Sequence, residues 1–306
     1  MKVFLKHLFQ LVGLTFLILF AGLLTEAAAQ ITTNNALPVG KDKGIFRAQL
    51  KIIRATGDPT GADRELLVQA FPVVGVYGIT SRFSVFGVVP LLNKSMALTT
   101  SQQQRIKRGT DIGIGDARLF GRYDLYRSST DGSILSISSL AGVELPTGRD
   151  DQRDAFGSLP RPLQRGSGSW DPFGGIVLTY QTREWFFDVA TSYQINTEAD
   201  NFEFGNEYRL DGVIKYRLFP RKIGPGTPGF FYLDLESNLI LQGKNTVNGL
   251  TDDNSRGTIW FVDPGLQYIT QKFVFEAAIQ LPAVQDLNGS ALETDYITTL
   301  SVRMNL

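Results

Sequence analysis

The sequence predicts an all-β fold: a closed antiparallel transmembrane β-barrel of about twelve strands, with short periplasmic turns and long extracellular loops. Three observations predict it. Apolar and polar residues alternate with period two through segments long enough to cross a bilayer. The connections between those segments alternate between short and long. The chain also opens with the pattern of a secretory signal.

That opening carries Lys2 and Lys6, an apolar run from Leu11 to Leu24, and then Ala27, Ala28, Ala29 and Gln30. A charged start, an apolar middle and small residues before the cut read as a signal peptide over 1–29. Fourteen residues at about 1.5 Å rise reach only about 21 Å, short of a bilayer core of about 30 Å. Removing Lys2, Lys6 and Glu26 leaves 28 basic against 29 acidic residues. That balance argues against a nucleic-acid partner, which selects a basic surface. There is no cysteine, and the one histidine, His7, lies in the signal. Disulfides, thiolate metal sites and histidine-dependent nucleophiles are therefore excluded from the mature chain.

A polar segment over 30–43 precedes the barrel expected over 44–306. It is read as either disordered or folded into the lumen as a partial plug. The expected strands run over 44–53, 65–79, 83–92, 113–126, 133–145, 170–180, 184–195, 203–219, 230–242, 256–268, 273–281 and 295–306. Of the connections, 80–82, 127–132, 181–183 and 269–272 are short, while 93–112, 146–169, 243–255 and 282–294 are long. The pair 196–202 and 220–229 departs from that rhythm. A soluble sandwich has no reason to alternate in this way, whereas outer-membrane barrels do.

The faces agree. In "GDARLFGRYDL", Ala117, Leu119, Tyr123 and Leu125 are expected toward lipid, and Asp116, Arg118, Arg122 and Asp124 toward the lumen. The segment 207–218 sets Glu207, Arg209, Asp211, Lys215 and Arg217 against Tyr208, Leu210, Ile214, Tyr216 and Leu218. In 230–242, Asp234, Glu236 and Asn238 oppose Phe231, Leu233 and Leu235. Trp170, Tyr180, Trp185, Phe187, Phe230, Phe231, Trp260, Tyr268, Phe273 and Tyr296 gather near strand ends, where interfacial girdles would hold them. Closure is required because an open sheet edge cannot sit in hydrocarbon with its amides unpaired.

The segments "VYGITSRFSVFGVVPLL" (76–92), "GIGDARLFGRYDLY" (113–126), "GVELPTG" (142–148), "RGSGSWDPFGG" (165–175) and "DPGLQYITQKFVFEAAIQLP" (263–282) follow in an order that resembles the outer-membrane transporters grouped as the "MetA-pathway of phenol degradation" family. The resemblance implies a barrel in the cell outer membrane and uptake of aromatic or other hydrophobic compounds. Leu306 departs from the family habit of finishing on an aromatic residue.

Other constellations are weak. Gly113-Ile114-Gly115 opens like a dinucleotide fingerprint, but Arg118 holds the third glycine position and no helix follows. No catalytic residues, cofactor or metal are assigned, and the chain is not read as an enzyme. Asp150, Asp151 and Asp154 share the longest loop, where Arg149 and Arg153 interleave; a solvated loop is favoured over calcium binding. The basic run over 102–109 is a candidate contact for lipopolysaccharide phosphates.

The inward inventory sets Arg47, Lys51, Arg118, Arg122, Arg209, Lys215, Arg217 and Arg303 against Asp116, Asp124, Glu144, Asp188, Glu207, Asp211, Asp234, Glu236 and Glu276. The signs nearly cancel, so strong ion selectivity is not expected. Arg118, Arg122, Asp124, Arg209, Asp211, Lys215, Asp234 and Glu236 are the expected lumen-lining groups, and the loop 146–169 is a candidate lid. The expected function is passive transport of small, hydrophobic or aromatic solutes, with a non-conducting structural or surface-interaction barrel as the alternative. Expected partners are outer-membrane lipid, lipopolysaccharide, the solute and the barrel assembly machinery.

Overall fold

A computed structural model describes residues 35–221 and 226–306. The expected signal and residues 30–34 of the polar segment lie outside them. Twelve long strands form the wall: β1 (Gly44–Gly57), β2 (Glu65–Gly78), β3 (Phe83–Thr99), β4 (Ala117–Thr130), β5 (Ser133–Leu145), β6 (Asp171–Thr182), β7 (Trp185–Gln194), β8 (Glu207–Phe219), β9 (Phe230–Gln242), β10 (Gly257–Ile269), β11 (Phe273–Leu287) and β12 (Glu293–Asn305). Each pairs antiparallel with the next. The last returns to the first, from Ile45 opposite Asn305 to Gly57 opposite Glu293. The wall is closed and leaves no edge strand to face hydrocarbon.

The short turns over 79–82, 131–132, 183–184 and 270–272 lie at one end, with the start of β1 and the end of β12. One of the two-residue turns, Asp131-Gly132, puts its second residue in the left-handed region, which Gly132 takes at φ +93°. The connections over 100–116, 146–170, 195–206 and 243–256 crowd the other end.

Four strands run farther than the alternation predicts. β1 continues to Gly57, β3 to Thr99, β4 to Thr130 and β11 to Leu287. The expected long loop 93–112 is therefore partly a hairpin, in which the tail of β3 pairs with Arg105–Gly109. The expected long loop 282–294 shrinks to 288–292. Beyond the bilayer both faces of a strand meet water or protein, so no period-two signal marks its continuation.

The two faces sort by chemistry. On β4, Leu119, Tyr123 and Leu125 are exposed on the outside, while Arg122 and Asp124 are 5% and 3% exposed within. On β8, Leu210 and Ile214 point out and Asp211, Lys215 and Arg217 point in. This outward apolar face, continued by Leu233, Leu235, Leu266, Phe275 and Leu300, is the belt of a membrane-spanning barrel. Architecture and belt together place the chain in the outer membrane.

Near the short turns the outer face becomes aromatic. Trp185 packs against Tyr216 (ring centroids 4.4 Å), Phe219 against Phe231 (4.5 Å) and Phe231 against Tyr268 (4.4 Å). Phe230 is a correction to the expected girdle. It faces inward, buried with Phe186, Tyr232, Ile269 and Val274 in an apolar base between the strands. Its parity already matched Asp234 and Glu236 on the same strand, because period two forces one of two consecutive phenylalanines inside.

Candidate functional site

A barrel of twelve strands is wider than its own side chains readily fill, so its interior must be completed by charge lattices, by inserted chain or by space. All three occur here.

One half of the inner ring is laced by its own side chains. Lys215 on β8 lies 3.4 Å from Asp234 on β9 and donates to Gln267 on β10 (2.8 Å). Gln267 donates to Glu276 on β11 (2.6 Å), which pairs with Arg47 on β1 (2.8 Å). Arg47 in turn donates to Ser301 on β12 (2.9 Å). Six neighbouring strands thus contribute one residue each to one connected chain of contacts. Just beside it, Gln280 donates to Asn238 (2.6 Å) and to Asp263 (2.7 Å). Asp263 is fully buried and escaped the sequence inventory, although its parity with Phe261 and Gln267 marks it as inward.

The other half grips the N-terminal segment. Residues 35–40 lie in the lumen, in line with the plug reading of that segment. The Ala36 amide donates to Thr179 Oγ1 (2.8 Å), while Ser138 (2.6 Å) and Ser136 (3.3 Å) donate to the Ala36 carbonyl. The Val39 amide donates to Ser84 Oγ (3.2 Å). Arg122 closes the grip, donating from Nη1 to the Asn35 carbonyl (2.5 Å) and from Nη2 to the Leu37 carbonyl. Ala36 packs with Leu140, Val177 and Ala190, and Val39 with Val76 and Phe86. The segment satisfies its backbone through wall hydroxyls and buries its few apolar groups, as a plug must.

Between the two halves runs a chamber of about 830 Å³. Its lining reaches from Lys43, Thr270 and Gln271 at the short-turn end to Ile53, Pro90 and Asp116 in the outer half. Leu37, Pro38 and Val39 form part of that wall. An aromatic ladder forms another part: Phe86 stacks on Phe120 (4.5 Å), and Phe120 meets Phe173 edge-on (5.7 Å). Arg122 lies over Phe86 at 4.8 Å and Arg118 over Phe173 at 5.5 Å, capping the ladder at both ends.

The residues expected to line the lumen divide by depth. Arg118, Arg122, Arg209 and Asp211 lie on the chamber surface. Asp124, Lys215, Asp234 and Glu236 also point inward but are buried in the contacts behind it, with Asp124 held by Arg127 (2.9 Å) and Ser136 (3.2 Å). The sequence did not reveal the aromatic ladder, and it offered the docked segment only as one of two readings. Phe120 stood alone among charges on β4, and an extended peptide held through its backbone has no side-chain signature.

The loop over 146–170 is fastened rather than loose. Arg108 forms a two-pronged pair with Asp154 (both 2.9 Å), Lys94 donates to the Gln164 carbonyl (2.5 Å), and Asp116 accepts from the Gly148 and Ser167 amides (2.9 and 2.6 Å). Arg108 holds the Asp154 carboxyl below its ordinary range. The three loop aspartates do not form a cation site: Asp150 faces Arg161 (3.6 Å), Asp151 faces Arg149 (3.2 Å) and Asp154 faces Arg108. Among the described residues no group of three His, Cys, Asp or Glu side chains could hold a metal ion.

The family described as "Putative MetA-pathway of phenol degradation" matches residues 71–282, more than half of the chain. Among solved structures, the chain is similar to the COG4313 outer membrane channel from Pseudomonas putida F1, at 17% identity and a TM-score of 0.62, covering 91% of this chain and 100% of that one. A looser likeness joins it to the β domain of the Bordetella autotransporter BrkA, at 10% identity and a TM-score of 0.44, covering 85% and 98%. No curated protein matches the sequence.

Proposed function

The chain belongs to the family of the MetA-pathway of phenol degradation, and from that premise we propose that it is an outer-membrane channel for passive transport of small, apolar or aromatic solutes. The observation that carries the reading is the chamber, continuous from the short-turn end into the outer half and walled by Phe86, Phe120 and Phe173. A wall that sets an aromatic ladder among converging cations suits a planar organic solute better than a hydrated cation. The solved structure that it resembles is itself named an outer membrane channel.

In this reading Arg118, Arg122, Arg209 and Asp211 set the width and polarity of the path. Asp124, Lys215, Asp234 and Glu236 hold the wall behind it. The segment over 35–40 is the removable part of the obstruction, because the six-strand contact chain closes without it. The outer belt meets lipid, and Lys107 in the loop-side hairpin lies where lipopolysaccharide phosphates would be met. Insertion falls to the barrel assembly machinery. No step of transport calls for catalysis or a cofactor.

Reconstitution tests the reading. Purified protein in liposomes and planar bilayers should show solute-dependent swelling and discrete conductance, both raised by Arg122→Ala. No conductance and no swelling with any aromatic or aliphatic solute, from protein that migrates as a folded barrel, would leave the structural alternative standing.

A further inference from the structure

The inward charges nearly cancel when counted along the strands, yet on the chamber surface they do not. Seven basic side chains line it against two acidic ones, Asp116 and Asp211. Both carboxylates are already engaged by the protein. Asp116 accepts from the Gly148 amide and from the amide and hydroxyl of Ser167 (2.9, 2.6 and 2.9 Å). Asp211 accepts from Arg209 (3.4 Å). The remaining acids, among them Asp234, Glu236, Asp263 and Glu276, are sealed in the wall, each under 5% exposed.

The cations stand differently. Arg118 is matched by Glu144 (2.5 Å) and Arg47 by Glu276 (2.8 Å). Arg122 donates to the docked segment, at the Asn35 and Leu37 carbonyls and at Asn35 Oδ1 (3.5 Å), and to no carboxylate among the described residues. Lys51, on β1 and lining the chamber, makes no hydrogen bond or ion pair among the described residues. The charges around it are Arg47 and Arg209 on one hand and the wall-sealed Glu236 and Asp263 on the other. An ammonium facing a cavity has three donors and awaits an acceptor. The same cavity is lined by the ladder Phe86–Phe120–Phe173, which offers a flat apolar surface for a ring.

We infer that the chamber selects small amphiphilic organic anions, aromatic monocarboxylates in particular, with Lys51 receiving the carboxylate and the phenylalanine ladder receiving the ring. This rests on the channel reading and narrows it from neutral aromatic solutes to their ionised relatives. The geometry separates the two demands that such a molecule makes. A neutral ring would gain the ladder and leave Lys51 without an acceptor; a small inorganic anion would gain Lys51 and leave the ladder wet. Only a solute with both parts satisfies both surfaces.

Equilibrium binding to the detergent-solubilised full chain at neutral pH, with benzoate, its uncharged isostere benzamide, and acetate as probes, tests the inference. Benzoate should bind about tenfold more tightly than benzamide, the lower end expected of a hydrogen bond to a charged donor, and also more tightly than acetate. Lys51→Gln should erase the benzoate advantage and leave benzamide unchanged; Lys51→Arg should restore it. Added salt should narrow the gap. Heat-modified gel migration checks that each variant is folded. Equal binding of benzoate and benzamide, or a benzoate preference that survives in Lys51→Gln, overturns the inference while leaving a conducting barrel intact. Conductance without binding of any probe also overturns it. Loss of both binding and conductance removes the channel reading as well.

Discussion

Arg122→Ala should free the N-terminal segment from the lumen without unfolding the barrel. The side chain supplies two charge-assisted hydrogen bonds to that segment, at the Asn35 and Leu37 carbonyls, and lies over Phe86. Bonds from a charged donor contribute roughly 1.5–3 kcal/mol each. Taking the low end twice gives roughly 3 kcal/mol, or about a hundredfold shift in the equilibrium between docked and undocked segment. The tethers at Thr179, Ser138 and Ser84 remain, so docking stays favoured but opens far more often. The chain has no cysteine, so a single Ala36→Cys reports the opening. Ala36 is 0% exposed when docked and does not line the chamber, so a thiol reagent reaches the residue only from the undocked state. Labelling in the Arg122→Ala background should run about a hundredfold faster than with Arg122 present, provided that docking is fast relative to labelling. Equal labelling rates in the two backgrounds, with both proteins migrating as folded barrels, would refute the clamp.

Gly78→Ala should undock the same segment by a different route: a Cβ there would sit 2.1 Å from the Gly40 carbonyl oxygen and 2.6 Å from that of Val39, whereas Gly75→Ala, with nothing within 4 Å, should label like the parent. On the outer face, Leu210→Arg should cost roughly 2–4 kcal/mol of barrel stability and deplete the folded gel band, while the inward neighbour Asp211→Ser should keep the band and alter conductance. In the loops, Arg108 holds the Asp154 carboxyl below its ordinary range. A depressed carboxyl stabilises above its unfolded pKa, about 4, and loses that contribution as pH falls through the folded value. Limited proteolysis of the 146–170 loop should therefore stay slow from neutral pH down to that point and accelerate below it, and Asp154→Asn should be cut quickly at pH 7.

How legible all this was depends on which physical signal each feature leaves. Lipid on one side and polar lumen on the other impose a strict period of two, so Leu119 and Arg122, or Leu210 and Asp211, could be assigned without coordinates. The same signal vanishes where a strand leaves the bilayer, which is why β3 beyond Leu92 and β11 beyond Leu281 looked like loop. Parity also fixes only direction. It places Lys51, Asp211 and Glu236 alike in the lumen and is silent on depth, yet depth sets Lys51 on the chamber and seals Glu236 in the wall. A net charge summed over inward residues therefore misjudges the surface that a solute meets.

The division of the inner ring also bears on how a closed barrel of this width can conduct. If the lumen were filled by side chains from all twelve strands, opening a path would mean breaking contacts that hold the wall together, at the cost of the barrel itself. Here the contacts from Lys215 round to Ser301 are complete among six adjacent strands. The hydroxyls of Ser84, Ser138 and Thr179 instead face a peptide that carries its own hydrogen-bond donors and acceptors. When that peptide leaves, water can take its place at those hydroxyls, so each of those hydrogen bonds is close to an exchange. Among the polar contacts Arg122 is the exception, since its bonds are charge-assisted and its guanidinium covers Phe86. The hold on the closed path thus rests on that one side chain at the end of the aromatic ladder and on the apolar packing of Ala36 and Val39 against the wall.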